Sequence, residues 1–346
     1  MASSVQNNRV SPPGYCVCCR TCNMWCWRAF KWLPVLLIVS IITWSYYAYV
    51  IQLCIFTIES TVQQCVYLVL YHVLLIMFSW SYWRTIFAEV KLIPDKYKLP
   101  EAELEKLLAA ESEDAQRTIL ENFAKDLPIV TRTMSGSVRY CNRCVLVKPD
   151  RAHHCSICAR CVLKMDHHCP WVNNCVCFHN YKFFMLFLGY ALLYCLFIMA
   201  TCLPYFIKFW KGDFGTAASA GRYHIVFAFF VALMFAISLG SLFGYHCYLV
   251  ANNRTTLEAF RAPMFRGGAD KNGFSIGAFN NFKEVFGNSP NLWMVPVFTS
   301  FGDGIVYPVP SLDEESESLI SSERWDRWGE RARPFDERES SSFDEL

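Results

Sequence analysis

The chain has 346 residues, 54% of them hydrophobic and 18% charged, and 32 Lys and Arg against 30 Asp and Glu leave a net charge of +2. So near neutrality there is no basic footprint for a nucleic-acid partner, and none is expected. The apolar residues fall in blocks, which argues against a soluble domain.

Residues 1–32 form an N-terminal arm with Arg9, Arg20, Arg28 and Lys31 and no acid. Its cysteines Cys16, Cys18, Cys19, Cys22 and Cys26 lie just before an apolar run, where thiols are candidates for S-acylation. Uncharged apolar runs then cover Leu33 to Phe56, Val62 to Trp83, Phe183 to Phe206 and Ile225 to Val250. Each meets the roughly 20 residues that a bilayer-spanning helix needs, so the expected fold class is an α-helical integral membrane protein with four transmembrane helices. The first run is too long for a signal peptide, and Trp44-Ser45-Tyr46-Tyr47 inside it is unlike a small-residue cleavage site. No span carries Asp, Glu, Lys or Arg, and His72 with His246 makes a poor ion pathway, which argues against a transporter.

The basic arm, set against Glu59 alone after the first span, puts the N terminus in the cytosol. Four spans return the C terminus there and place the loop from Arg84 to Lys182 on the same side. Lys208, Lys211 and Arg222 against Asp213 run mildly against this assignment. The sequon Asn253-Arg254-Thr255 then faces the cytosol and is a bystander. Within the loop, residues 84–138 include "PEAELEKLLAAESEDAQRTILENFAKDLP", whose Leu104, Leu107, Leu108, Ile119, Leu120 and Phe123 recur at helical spacing. They read as solvated helices that pack one face on a neighbour.

Residues 139–180 are cysteine-rich. Eight cysteines lie between Cys141 and Cys177, with His153, His154, His167 and His168 among them. Cytosolic thiols stay reduced, so metal binding or catalysis is the better reading of this density than disulfides. Two CxxC pairs interleaved with histidines signal zinc held in closed four-coordinate sites. Two zinc ions need eight ligands, so several groups remain free. A RING-type ubiquitin ligase also interleaves two zincs, but it closes on a CxxC pair, which Cys169 and Cys175 do not form.

Residues 251–310 are rich in Gly, Asn and Pro with scattered aromatics and read as an irregular cytosolic extension. From Ser311 the composition turns to twelve acids, five arginines and eight serines, a disordered tail in which "ESESLI" resembles an acidic dileucine sorting signal.

"DHHC" at Asp166 to Cys169, inside "CNRCVLVKPDRAHHCSICARCVLKMDHHCPWVNNC", resembles the cysteine-rich domain of the DHHC protein S-acyltransferases. The resemblance extends to that domain's place between the second and third spans, to "TTLE" at Thr255 to Glu258, and to an aromatic and Asn motif near Asn281. It implies a cytosolic domain with one zinc on Cys141, Cys144, His154 and Cys161 and another on Cys155, Cys158, His168 and Cys175. Cys169 is then the nucleophile, with His167 as its base and Asp166 orienting the imidazole. Between Arg139 and Lys182, seven Lys or Arg against two Asp give +5, and two Cys3His zinc sites lower this to +3, a field that favours a thiolate. The implied reaction moves a long-chain acyl group from palmitoyl-CoA to Cys169, then to a cysteine of a membrane-associated protein substrate.

The resemblance also implies an acyl cavity at Trp171, Phe184, Phe187 and Tyr194, with Ser45 facing Tyr194 at its far end. Lys148, Arg151 and His153 are expected to meet the CoA phosphates. Thr255-x-x-Glu258 is a capping box by spacing; Thr256 is expected to approach Asp166, and Glu258 to meet Arg139. Asn281 is expected to be a packing post. Cys177 stands where the family has Gly and His179 where a small polar residue is usual, so Cys177 is expected either to strain the loop or to offer the second zinc another ligand. The compartment implied is the Golgi or the plasma membrane. A different class of reading, a catalytically idle membrane scaffold that binds partners through its zinc domain and tail, predicts no acyl adduct.

Overall fold

The computed structural model describes residues 29–212 and 221–310; the N-terminal cysteine cluster and the acidic tail lie outside the described residues. Among the described residues, four helices are long and apolar enough to cross a membrane, with 23, 27, 31 and 31 residues and mean hydropathy of 1.7, 1.7, 2.3 and 2.5. They are α1 (Leu33–Tyr46, continued as a π-helix over Tyr47–Ile55), α2 (Thr61–Phe87), α5 (Tyr181–Lys211) and α6 (Gly221–Ala251). The chain is an integral membrane protein of this four-helix class.

Local sequence explains the helix ends. Pro34 opens α1, where a missing N–H costs nothing, and the Ser60 hydroxyl accepts from Gln63 N to start α2. Gly212, at φ 75°, ends α5 in the left-handed region that glycine enters without strain. The α5 helix is the hub of the bundle and packs on both α2 and α6. The apolar run through Phe56 gave no sign of the π-helix, since its wider turn has no hydrophobic period of its own. It carries Tyr49, which stacks on Tyr71 at 4.6 Å and donates to Thr201 Oγ1 at 2.9 Å.

Between α2 and α5 lie α3 (Glu101–Ala109), α4 (Glu113–Phe123) and three short hairpins: β1 (Tyr140–Cys141) with β2 (Leu146–Val147), β3 (His153–Cys155) with β4 (Arg160–Val162), and β5 (His167–Cys169) with β6 (Asn174–Val176). Leu107 of α3 and Ile119, Leu120 and Phe123 of α4 share a core with Leu146 and Val147, as one-faced packing requires. The third hairpin is clamped to the membrane bundle. Asn174 Nδ2 donates to the carbonyls of Thr85, Ile86 and Ala88 at 3.3, 3.1 and 3.1 Å, satisfying acceptors that the end of α2 leaves without helical partners.

Beyond α6, the chain forms α7 (Thr256–Phe260), a hairpin of β7 (Met264–Phe265) with β8 (Gly268–Ala269), and α8 (Ala278–Phe286). Asn281, 1% exposed, is the expected post: its amide donates to Ala251 O at 2.7 Å and accepts from Ile276 N at 3.0 Å, joining α8 to the end of α6.

Asn174→Ala strands the α2 carbonyls, so a loss of about 1–3 kcal/mol is expected. Thermal unfolding of the detergent-solubilised protein should show it as a lowered midpoint with zinc content unchanged.

Candidate active site

The three hairpins repeat one another every 14 residues. Cys141, Cys155 and Cys169 each pair with the residue five positions on: Leu146, Arg160 and Asn174. In each, the residue four positions on from the cysteine is left-handed: Val145 and Ala159 at φ 53° and Asn173 at φ 46°. Cys144 and Cys158 sit three residues after the first two cysteines; Val172 holds that place in the third. The histidine and closing cysteine of the first two units, His154 with Cys161 and His168 with Cys175, would fall in the third on Lys182 and Gly189. The third unit thus keeps one sulfur of a metal site and lacks the other three donors.

Cys141, Cys144, His154 and Cys161 converge, as do Cys155, Cys158, His168 and Cys175, with all four donor atoms of each set within 4.8 Å of one another. These are the sets that the resemblance implies. His154 Nδ1 lies 3.6, 3.2 and 3.8 Å from the sulfurs of Cys141, Cys144 and Cys161. His168 Nδ1 lies 3.7, 3.4 and 3.6 Å from those of Cys155, Cys158 and Cys175. A tetrahedral zinc with usual bond lengths sets donors about 3.5–3.8 Å apart, so both sets fit the ion.

Strand alternation separates metal from chemistry. In β5, His168 points to the second set, while His167 and Cys169 share the opposite face. There Asp166 Oδ2 accepts from His167 Nδ1 at 2.6 Å, and Cys169 is near enough to act electrostatically on the imidazole. Burial pulls the His167 pKa down, but the bond to Asp166 and the charges of Asp166 and Cys169 outweigh it and raise it to about 9. Asp166 is fully buried, which favours its neutral form; the bond and charge of His167, aided by His246 and Thr256 N, overcome this and hold its pKa below the usual value.

Thr256 approaches Asp166 as expected, its N donating to Oδ1 and its Oγ1 to Oδ2, both at 2.8 Å. The capping box is present, with Glu258 N donating to Thr255 Oγ1 at 3.2 Å and Thr255 N to Glu258 Oε2 at 2.9 Å. Glu258 meets Arg151, not Arg139. Arg151 donates to both its oxygens, at 2.8 and 2.6 Å, whereas Arg139 turns to the carbonyls of Pro149 and Ala152. Arg151 also bonds Asn253, and Lys164 pairs with Glu284 beside them, so two cations and two anions share one buried cluster.

Arg151 is 1% exposed, with its guanidinium taken up in that cluster. Lys148, Arg151 and His153 all border one polar cavity of about 440 Å³, together with Arg132, Arg139 and Arg261, which the sequence reading left out. Burial, reinforced by Arg139, depresses the His153 pKa to about 3, so it lines that cavity as a neutral ring.

A second cavity of about 100 Å³, almost wholly apolar, lies among the spans and is bounded by Ser45, Phe78, Phe187, Tyr194 and Ala232, among others. Ser45 Oγ lies 2.6 Å from Tyr194 Oη, and Tyr71 Oη lies 2.7 Å from the same atom. Two expected lining residues lie elsewhere. Trp171 is 50% exposed, its carbonyl accepting from Tyr82, and Phe184 packs edge-on against His167 at 5.4 Å.

Cys177 does neither thing expected of it. Its φ is not positive, so the backbone there needs no glycine, and it lies outside the second donor set, packed with Val90, Val162 and Met165. Burial pushes its thiol up to about 12. His179 stacks on Phe298, its Nδ1 buried without a hydrogen-bond partner among the described residues. Sequence reasoning weighed His246 only as an ion-pathway residue and passed over Tyr181, because both lie within or beside apolar runs; His246 adjoins His167, and Tyr181 hydrogen-bonds His246.

The DHHC palmitoyltransferase family model matches residues 135–262. Palmitoyltransferase ZDHHC2 of Danio rerio is 55% identical over 292 residues, covering 84% of this chain and 80% of that protein. The Homo sapiens ZDHHC2 is 55% identical over 293 residues, 84% of this chain and 79% of that protein. Palmitoyltransferase ZDHHC15 of Mus musculus is 47% identical over 317 residues, 91% of this chain and 94% of that protein. With similarity of this extent, and with four apolar helices around a two-site cysteine and histidine domain, the chain belongs to the DHHC palmitoyltransferase family.

Proposed function

We propose that the chain transfers a palmitoyl group from palmitoyl-CoA to Cys169 and from there to cysteines of membrane-associated proteins. The observation that carries this reading is the position of Cys169: beside His167 on the strand face away from the metal set, and in the same apolar cluster as Phe78, Phe187 and Tyr194 of the inter-helix cavity.

In the first step the Cys169 sulfur, its proton already held by His167, attacks the thioester carbonyl carbon of palmitoyl-CoA. The bond to the CoA sulfur breaks, and the proton passes to the departing thiolate. Asp166 holds His167 Nδ1, which leaves Nε2 for this transfer, and offsets the positive charge that forms on the ring. In the second step an acceptor thiol loses its proton to the same imidazole, attacks the acyl-Cys169 carbonyl and releases Cys169. One thioester replaces another at each step, so no outside energy source is needed. Zinc on the two donor sets supplies a structural cross-link to hairpins too short for a hydrophobic core.

Lys148, Arg132 and Arg261 border the polar cavity where the CoA phosphates fit best, and the acyl chain fits the apolar one. We place the hairpins and both termini on the cytosolic side of the Golgi or plasma membrane. The support is the basic N-terminal arm, and labelling of intact cells with an impermeant reagent at termini-tagged protein tests the sidedness.

Incubation of purified protein with an alkynyl palmitoyl-CoA should give an adduct that hydroxylamine removes. Cys169→Ser is expected to abolish it and Cys177→Ser to retain it; absence of any adduct on zinc-loaded wild type would favour the scaffold reading. Elemental analysis should find two zinc ions per chain in wild type and in Cys177→Ser, and fewer in Cys158→Ser. Ser45→Phe fills the far end of the apolar cavity. Losing burial of two methylenes at about 0.8 kcal/mol each should shift the ratio of turnover toward 14-carbon over 16-carbon donors by about tenfold.

A further inference from the structure

The fourth span brings one more imidazole to the nucleophile's side of β5. His246 lies one and a half turns before the end of α6 and is 2% exposed. Its Nδ1 is 3.0 Å from the hydroxyl of Tyr181, the first residue of α5. On its other side, its ring centre is 5.9 Å from that of His167. Phe184 stands edge-on to both rings, 5.4 Å from His167 and 5.0 Å from His246. Donor atoms of Asp166, His167 and His246 all lie within 4.8 Å of one another.

The plainest account of a buried histidine on an apolar helix is packing, with one hydrogen bond to satisfy it. Two features go beyond that account here. Tyr181 takes His246 Nδ1, which fixes the orientation of the ring and turns its remaining nitrogen away from the hydroxyl. And the single bond from Asp166 holds one atom of His167 but does not set the tilt of its plane. Contact with Phe184 and His246 supplies that second restraint, and the tilt decides whether Nε2 meets the Cys169 sulfur.

We propose that His246, oriented by Tyr181, is a positioning residue for acyl transfer that holds the His167 imidazole in the plane serving Cys169. This rests on the roles given above to Cys169 and His167. His246 borders neither the polar nor the apolar cavity, so it acts through His167 and not on the donor. Its loss should therefore slow turnover and leave donor binding intact.

The test is acyl-enzyme formation across palmitoyl-CoA concentrations, on full-length protein in detergent with its zinc content measured. His246→Ala is expected to lower kcat about tenfold with KM changed less than about twofold. His246→Gln, which keeps a polar partner for Tyr181 and much of the ring's reach, should recover most of the loss, and Tyr181→Phe should show a smaller fall of the same kind. Wild-type kcat in both His246→Ala and Tyr181→Phe overturns the inference, as does a loss residing wholly in KM or one that glutamine fails to relieve. Should His246→Ala lose zinc or fail to fold, Tyr181→Phe decides the matter alone. Cys169→Ser runs beside them: an adduct surviving there sinks the underlying reading, whereas its loss alongside a wild-type His246→Ala sinks only this inference.

Discussion

The carboxylate of Asp166 joins two parts of the molecule that the chain makes far apart. It takes the β5 imidazole on one oxygen and two donors of Thr256, from just beyond the fourth span, across both. A carboxylate with no exposure is tolerated only when its lone pairs are filled, so each partner is needed for the others to stay in place. The tautomer of His167, the start of α7 and the seating of the hairpins on the bundle are therefore one constraint and not three.

Behind that carboxylate lies a cluster of buried ions. Arg151 and Lys164 face Glu258 and Glu284, with Asn253 bonded to Arg151 and Glu284, so the formal charges cancel and nearly every polar atom has a partner. Arg151, Lys164 and Asn253 all adopt left-handed backbone, at φ 61°, 41° and 47°. Such conformations persist where the surroundings over-determine them. Removing any one ion would leave another unpaired in a dry interior, a larger penalty than losing the attraction itself. This cluster fixes Glu258, which caps α7, which presents Thr256 to Asp166.

Much of this was legible in the sequence, for reasons that differ by residue. The spans announce themselves because lipid admits little besides uninterrupted apolar helix. The metal donors show because paired cysteines interleaved with histidines at short fixed spacing are a zinc-site pattern. The Thr256 contact could be expected from a motif, but the partner of Glu258 could not: Arg139 and Arg151 lie twelve residues apart, both turn inward, and only Arg151 reaches the carboxylate. The place of His246 beside His167 was hidden because a histidine within an apolar run has no period to mark its partner. The π-helix was hidden because composition fixes that a segment is helical and apolar, not how its hydrogen bonds are counted.

The 14-residue period of the hairpins has a bearing on how such a site can arise. Tandem copies of a metal knuckle bring redundancy: two of them suffice to pin the fold, and the third inherits a rigid, correctly placed sulfur without the duty of binding. With Val172, Lys182 and Gly189 at the three remaining donor places, that thiol is left free on a scaffold already built. Cys169 therefore stands where a metal ligand stands in the other two hairpins, and its geometry is as fixed as theirs because it shares their architecture.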